Sequence, residues 1–419
     1  MECVRGRIFY GWHIVAVCFA VNFVVFGISV NTFTVYVKPI EADLGWSRGE
    51  ISLAMTLGAL AMGMAAPLIG RLIDRLGARS VMAAGVGTVG VGSILLSRSE
   101  SLSHFYAVYA AAGVGQGAAT IIPISLVITN WFSEKRGKAL GIVMTGTGLS
   151  AMVMVPVTTW IVVTWGWRTS YLIMGYVMLL VVPLILLFIR TRPSDMGLLP
   201  DGGEVRNEAP AVVDGLTAPE AFKTPAFWLI GCMMLLGGLV AMGIGVHLMP
   251  YLTDIGHAEA TASLIISIIA GLTVVGKLGM GFIADRWGIR RAVALTFGII
   301  VIGILLLMGA KAFPVACIFA VVYGFAIGAP LIINPALTAE CMGIKHFGTL
   351  FGILTLLSTT GVAAGAALSG VIYDSMKSYI PAFMLFIALA VISGICGVMA
   401  RGPRVTQHAN ATFTRRHTR

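Results

Sequence analysis

The sequence predicts an all-α membrane protein in which twelve transmembrane helices form two six-helix repeats. Three observations lead to this fold class: the composition, the spacing of the apolar segments, and an internal repeat. Of the 419 residues, 58% are hydrophobic and only 11% are charged. A soluble domain with this balance would have too little polar surface to face water. The chain is therefore expected to lie in a lipid bilayer.

Twelve apolar segments have the length of a membrane-spanning helix, which needs about 20 mostly apolar residues. The longest connection, 191–224, is polar and rich in turn residues, so it is expected to be a flexible cytoplasmic linker. We therefore predict an N-terminal six-helix bundle in 1–190, a C-terminal six-helix bundle in 225–401 and a cytoplasmic tail in 402–419. The predicted spans are 11–36, 49–71, 79–98, 104–130, 138–163, 168–190, 225–252, 260–284, 291–311, 313–339, 347–373 and 379–401.

The two halves match each other at a constant offset of 211 positions. At this offset Asp74 falls on Asp285 and Arg79 falls on Arg290. Transporters are commonly built from internal repeats, with the substrate site near the bilayer midplane at the repeat interface. The duplication therefore favours transport by alternating access. Further matching pairs are Pro39 and Pro250, Gly45 and Gly256, Gly70 and Gly281, Gly77 and Gly288, Gly113 and Gly324, and Gly137 and Gly348.

The basic residues predict the orientation of the chain. About three quarters of the 28 lysines and arginines fall on one side of the predicted topology. By the positive-inside rule, both termini are then cytoplasmic. The net charge of +10 is spread over short clusters between apolar runs, so we expect no nucleic-acid ligand. The short loops on the opposite side suit a bacterial inner membrane.

Lys277 is the one charged residue placed deep inside a predicted span. A lysine at the centre of a membrane helix costs about 2.5–3.5 kcal/mol on insertion scales, so it reads as functional. It precedes Asp285 by two helical turns, which puts it about 12 Å from the cytoplasmic end of its helix. Burial favours the neutral amine and a bound carboxylate favours the ammonium, so anion and proton could cross together. The alternative is a lysine that extends to the cytoplasmic interface.

A charged turn occurs once in each half. The segment from Gly70 to Arg79 and the segment from Gly281 to Arg290 each place a carboxylate and several guanidinium groups between two predicted helices. Such charges can form an inter-helix network that breaks when the halves move, or they can serve orientation alone. The pattern resembles the inter-helix signature of the major facilitator superfamily, which implies that superfamily's fold. The gating candidates are Asp74, Arg75, Arg79, Asp285, Arg286 and Arg290.

Further motifs narrow the resemblance. They are Tyr10-Gly-Trp12, Leu44-Gly-Trp-Ser47, Gly113-Val-Gly-Gln-Gly117, Trp131-Phe-Ser-Glu-Lys-Arg-Gly-Lys-Ala-Leu-Gly141 and Gly166-Trp-Arg168. These segments resemble the monocarboxylate transporter group and its bacterial relatives, which include oxalate/formate exchangers. In that group an arginine binds the substrate carboxylate at the position that Lys277 occupies here. A lysine lacks the planar fork of an arginine.

Several polar residues inside the spans are further candidates for contact with substrate. His247 lies near the outer end of the seventh span, where a titratable imidazole can bind substrate or relay a proton. The resemblance places Thr273 where the group has an acidic partner and Asn31 where the animal transporters have a lysine. Gln116 and Asn334 lie in the fourth and tenth spans. Each of these side chains has a structural alternative, which is hydrogen bonding between helices.

The sequence thus predicts a secondary active transporter of a small organic monoanion, such as lactate or pyruvate, with proton symport. A dicarboxylate would leave one negative group unpaired in a low dielectric. Oxalate/formate-type exchange and export of larger amphipathic compounds are the alternatives. We expect no cofactor, because the six cysteines show no metal-site spacing. We also expect no enzymatic activity, since no nucleophile–base pair is found, and a monomer in the bilayer.

Overall fold

The computed structural model describes residues 9–202 and 215–402. The chain divides into two compact units, Met1–Glu208 and Ala209–Arg419. All but the first residue of the predicted tail, 402–419, lie outside the described residues. Within the described ranges eleven helices are long and apolar enough to cross a membrane.

The eleven helices correspond to twelve spans. Arg136–Phe188 is 53 residues long, and Gly166 interrupts it with non-helical angles of φ 82° and ψ 165°. A 53-residue helix would be about 80 Å long at 1.5 Å per residue, far more than a bilayer needs. The break at Gly166 therefore separates two spans, and the predicted fold class is confirmed.

The spans of each unit are numbered in chain order. In the first unit they are α1 (Tyr10–Leu44), α2 (Arg48–Leu76), α3 (Ala78–Leu96), α4 (Leu102–Trp131), α5 (136–165) and α6 (167–188). In the second unit they are α7 (Pro225–Asp254), α8 (Glu259–Trp287), α9 (Ile289–Met308), α10 (Phe313–Met342), α11 (Phe347–Met376) and α12 (Ile380–Met399).

The first span is longer than the sequence predicts. It continues past Tyr36 to Leu44, through Pro39, as an amphipathic extension. The apolar run of the sequence ends near Lys38, and Glu41 and Asp43 follow. The helix nevertheless continues through these residues, because polar side chains are compatible with a helix at the membrane–water interface. Asp43 holds the extension to the start of α6: it accepts a hydrogen bond from Trp167 Nε1 at 3.1 Å and forms an ion pair with Arg168.

The turns of the two units repeat each other. Gly77, which ends α2, has φ 80° and ψ 153°, and Gly288, which ends α8, has φ 88° and ψ 150°. Only glycine adopts this region readily. The two charged turns of the sequence are therefore built on the same backbone in both units.

Helix packing repeats as well. In the first unit α2 packs on α4, where a Cβ at Gly113 would overlap the Gly58 carbonyl. In the second unit α8 packs on α10, and a Cβ at Gly324 would come within 2.9 Å of the backbone of Ile269. Gly58 and Gly113 of the first unit match Ile269 and Gly324 of the second at the offset of 211 positions. Small residues here permit the close helix approach that is typical of membrane bundles.

Three spans are irregular near their middle. The first contains a π-helical turn at Gly27–Asn31. The fourth is interrupted at Thr120, which has φ −116° and ψ −106°. The tenth consists of two helices, Phe313–Ile327 and Pro330–Met342. Membrane helices tolerate such breaks where neighbouring helices or a cavity cover the backbone.

The predicted linker is structured in its described parts. On the first unit Asp201 Oδ2 accepts hydrogen bonds of 2.8 Å from the N–H groups of Ser133 and Glu134. On the second unit Leu216 N–H donates to the Met342 carbonyl at 2.9 Å. These bonds join each described end of the segment to its own bundle. Within the segment, 203–214 lies outside the described residues.

A short helix, Ala218–Phe222, precedes α7. It starts with a capping box, in which the Glu220 carboxylate accepts hydrogen bonds of 2.8 Å from the backbone N–H and the hydroxyl of Thr217. These bonds lower the pKa of Glu220, the backbone bond most strongly. The segment Thr217-Ala-Pro-Glu220 has the spacing of a capping box, which is a sequence signature for a helix start, so this helix could have been predicted.

Candidate functional site

Lys277 is buried in the second unit. Its side chain is 3% exposed. Among the side chains that the structure describes, no other Lys, Arg, Asp or Glu is buried. It lies in the middle of α8 and does not extend to an aqueous surface. A charged group at such depth is expensive and usually faces protein or a water-filled space rather than lipid.

Lys277 packs against the break between the two helices of α10. A Cβ added at Gly328 would come within 3.1 Å of Lys277 Cγ and 2.7 Å of Thr273 Cγ2. The aliphatic stem of the lysine therefore lies directly over Gly328. Gly276, the residue before the lysine, packs so closely on α10 that a Cβ there would overlap the Phe325 carbonyl. Two glycines thus position the lysine against the interrupted helix.

Thr273 lies one turn before Lys277 on the same face. Its hydroxyl donates to the Ile269 carbonyl at 2.8 Å and lies 3.3 Å from the Gly324 carbonyl of α10. Its single donor is therefore used within the protein, although its oxygen can still accept a hydrogen bond. Of the predicted substrate-binding residues, Lys277 and Thr273 are the two that share a described environment.

His247 lies near the C-terminal end of α7. Its Nδ1 is 3.2 Å from the Tyr379 hydroxyl, and the two rings are 5.4 Å apart. The ring also faces Gly370 of α11. Tyr379 in turn stacks on Tyr373 at 4.3 Å. The imidazole is half-buried within an aromatic cluster of α7, α11 and α12.

Asn31 and Asn334 differ in what they contact. Asn31 is the last residue of the π-helical turn, and its amide donates to the Thr147 carbonyl at 3.0 Å and to Ser150 Oγ at 2.8 Å. Both partners belong to α5, so this amide fixes α1 to α5. Asn334 is half-buried in the second helix of α10, where its backbone carbonyl accepts a hydrogen bond of 2.8 Å from the Thr338 hydroxyl.

Gln116 lines a cavity of about 220 Å³ inside the first unit. The sequence indicates Gln116 as a candidate but not the other polar groups around it, because single Ser and Tyr residues in apolar spans give no distinct pattern. The polar lining comprises Ser29, Ser93, Tyr109, Gln116 and Tyr171. The remainder comprises Phe26, Ile28, Val30, Met55, Gly58, Ala59, Met62, Val89, Leu96, Ala112 and Gly113.

The predicted gating residues differ in their burial and in their contacts. Arg290 forms an ion pair of 3.2 Å with Glu340 at the end of α10, and its Nε donates to the Ala400 carbonyl at 3.1 Å. Glu340 was not selected from the sequence, because a single acidic residue near a helix end has no specific pattern. In the first unit Arg79 is half-buried, and its Nε has no hydrogen-bond partner within the described residues. Asp74 is half-buried, whereas Arg75, Asp285 and Arg286 are exposed.

Within the described ranges no group of three or more His, Cys, Asp or Glu side chains could hold a metal ion. The second unit offers a buried cation, and the first offers a neutral polar cavity.

The family model of the Major Facilitator Superfamily matches residues 17–314 and 248–418. The chain belongs to this superfamily. The family and its fold are those of transporters rather than enzymes, as the sequence predicted. The two overlapping matches agree with the internal repeat.

Curated relatives include members of the resembled group. Monocarboxylate transporter 13 of Rattus norvegicus is 25% identical over 381 residues, which is 90% of this chain and 85% of the relative. The Oxalate:formate antiporter of Oxalobacter formigenes is 24% identical over 382 residues, which is 88% of each chain. The predicted resemblance to this part of the superfamily is thereby confirmed.

A solved structure shares the fold. The crystal structure of the human organic anion transporter MFSD10 superposes with a TM-score of 0.72 over 92% of this chain and 99% of that chain, at 14% identity. At this identity the likeness concerns the fold alone. The family match and the eleven apolar helices of the described ranges together identify this chain as a multi-pass membrane transporter of the Major Facilitator Superfamily.

Proposed function

We propose that the protein is a secondary active transporter of a small organic monoanion, a monocarboxylate of the size of lactate or pyruvate, with proton symport by alternating access. The observation that carries this proposal is the buried Lys277 beside the break in α10. Relatives named as monocarboxylate transporters and as an oxalate:formate antiporter support the substrate class.

The site supports a substrate that carries a single negative charge. A buried ammonium attracts an anion, and a charge-assisted hydrogen bond to a carboxylate is stronger than a neutral one. A second carboxylate on the substrate would need a second cation, since an unpaired buried charge is costly. Among the described side chains Lys277 is the only cation that is buried. A monoanion therefore fits better than a dianion.

Proton coupling follows from the same amine. Burial in general favours the neutral form of an amine, whereas a bound carboxylate favours the ammonium. Substrate and proton then bind together as a net neutral pair. His247 is our candidate for relaying the proton at the outer end of α7. The charged turns that contain Asp74, Arg75, Arg79, Asp285, Arg286 and Arg290 are proposed to act as gates, with both termini cytoplasmic in a bacterial inner membrane.

The proposal is tested by uptake of radiolabelled lactate and pyruvate into proteoliposomes, with and without an inward proton gradient. We expect saturable uptake that the gradient stimulates. Lys277→Ala should reduce uptake by about 10- to 150-fold, which corresponds to the roughly 1.5–3 kcal/mol of a hydrogen bond to a charged group. Lys223→Ala removes an exposed lysine of the same unit and should leave uptake unchanged.

Different outcomes separate the alternatives. Saturable uptake by Lys277→Ala at the rate of the unmodified protein would refute the role of this lysine. If internal unlabelled acid accelerates uptake and a proton gradient has no effect, the protein is an exchanger. A His247→Tyr variant, which has the residue found at the matching position 36, should flatten the pH profile of uptake if the imidazole relays the proton.

A further inference from the structure

We propose that the first unit contains a second binding pocket, in the cavity around Gln116, for a small uncharged molecule with one hydrogen-bonding head and a short apolar tail. Primary carboxamides and undissociated short-chain carboxylic acids have this chemistry. This pocket does not depend on the proposed function, because its lining does not include Lys277 and its ligand is neutral.

The polar groups of the cavity have unused hydrogen-bonding capacity. Ser29 Oγ is buried without a hydrogen-bond partner in the described structure. Ser93 donates to the Val89 carbonyl at 3.0 Å, which leaves its oxygen able to accept. The carboxamide of Gln116, which is 9% exposed, offers two donors and an acceptor. Buried polar groups in proteins are normally paired, so the unpaired Ser29 Oγ indicates a partner such as a ligand or water.

Two tyrosines add one further donor. The hydroxyls of Tyr109 and Tyr171 are 2.6 Å apart. Two hydroxyls carry two protons, and their mutual hydrogen bond uses only one of them. The other proton remains available to an acceptor. The cavity therefore presents donors and acceptors together, which matches a carboxamide or a protonated carboxyl group better than an ion.

The absence of charged residues from the lining disfavours an ionic ligand. None of the residues around the cavity is Asp, Glu, Lys, Arg or His. A charged ligand would lose its hydration without gaining a counter-ion, which costs several kcal/mol. The rest of the lining is aliphatic, methionine and phenylalanine, and it suits a short hydrocarbon tail. At about 30 Å³ for each water-sized group, 220 Å³ accommodates roughly seven non-hydrogen atoms.

The internal repeat shows that the fold does not require these polar residues. The positions that match Ser29, Ser93 and Gln116 in the second unit are Val240, Ile304 and Ile327. Val240 and Ile304 are 1% and 0% exposed, so the same positions there are ordinary apolar core. Burying polar side chains in a membrane bundle is costly and is typically retained for a function. Their confinement to one unit points to a ligand of that unit.

The experiment measures the thermal unfolding midpoint of the purified full-length protein in detergent at neutral pH, titrated with primary amides from acetamide to octanamide. We expect a saturable rise in the midpoint that is largest for amides of four to six carbons, since roughly seven atoms fill the cavity. Gln116→Ile and Ser29→Val, which introduce the residues of the second unit, should each raise the apparent dissociation constant at least about tenfold. Each variant is compared with its own midpoint without ligand, so a change in intrinsic stability does not obscure the result.

Two controls distinguish this pocket from the proposed anion site. The amide response should persist in Lys277→Ala, whereas any response to butyrate should be lost there. A rise that increases steadily with chain length, or that Gln116→Ile and Ser29→Val leave unchanged, would overturn the inference. Loss of the amide response in Lys277→Ala would assign the amide to the anion site instead. Absence of any response to amides would equally refute the pocket.

Discussion

The two units use the same helices and turns but place different chemistry at matching positions. Lys277 and Thr273 of the second unit correspond to Ala66 and Met62 of the first, and Gln116 of the first corresponds to Ile327 of the second. The second unit buries a charge, and the first buries neutral polar groups. Because the backbone is shared, each difference shows which residues the fold needs and which it only tolerates.

The largest expected effect comes from moving the charge between units. Ala66 is 2% exposed, close to the 3% of Lys277, so the double variant Lys277→Ala/Ala66→Lys keeps one buried lysine. We expect it to remain as inactive as Lys277→Ala, about 10- to 150-fold below the unmodified protein in uptake. Recovery of uptake would mean that any buried cation suffices. Ala66→Lys alone serves as the control for the added charge.

Gly276→Ala tests the close packing of α8 on α10. The matching residue of the first unit is alanine, Ala65, but here a Cβ would overlap the Phe325 carbonyl. Because a backbone group cannot rotate away, we expect a loss of about 1–3 kcal/mol in the free energy of unfolding. Gly271→Ala is the matched control on the same helix, since no atom lies within 4 Å of a Cβ there. Equal midpoints for the two variants would contradict the prediction.

Asn31→Met introduces the residue found at the matching position 242. The substitution removes the two hydrogen bonds that join α1 to α5. Hydrogen bonds between membrane helices average about 0.6 kcal/mol, so we expect a loss of about 1 kcal/mol in unfolding free energy. The KM for substrate should not change. A raised KM at normal stability would instead assign Asn31 to the substrate site, as the sequence predicted.

Lys377→Gly is expected to stabilise the protein slightly. Lys377 has φ 51° at the position that matches Gly166 of the first unit. Left-handed backbone costs a side-chain-bearing residue about 1–2 kcal/mol, and the entropy of glycine offsets part of the gain. We expect a net gain of about 0.5–1 kcal/mol, measured as a higher unfolding midpoint. The reverse variant, Gly166→Lys, should destabilise, because ψ 165° is essentially restricted to glycine. An unchanged midpoint for Lys377→Gly would show that this turn is not strained.

The fold and the candidate anion-binding residue, Lys277, could be predicted from the sequence because both depend on strong patterns along the chain. Spans of about 20 apolar residues are unambiguous, and one lysine inside such a span is conspicuous. The cavity of the first unit could not be predicted from single residues, since Ser29 and Ser93 are compatible with any membrane helix. Comparison of matched positions would have identified it, because two hydroxyls and one carboxamide replace three branched apolar residues.

Contacts that depend on tertiary geometry were beyond the sequence. Asn31 has the composition of a substrate ligand, and only the position of Thr147 and Ser150 shows that its amide is already used. Glu340 becomes a partner of Arg290 only through the packing of α9 and α10. The roles of His247 and of the charged turns stay predictions, because their present contacts are compatible with function and with structure.

The docked ends of the connecting segment have a practical consequence for producing the halves separately. Asp201 is bonded to the turn after α4, and Leu216 is bonded to the end of α10, so each docked stretch belongs to the bundle it contacts. A coding sequence divided within 203–214 would give two polypeptides that each keep the hydrogen-bonded stretch that docks on their own bundle. A division at 190 would remove the Asp201 contact from the first product, and a division at 225 would remove the Leu216 contact from the second.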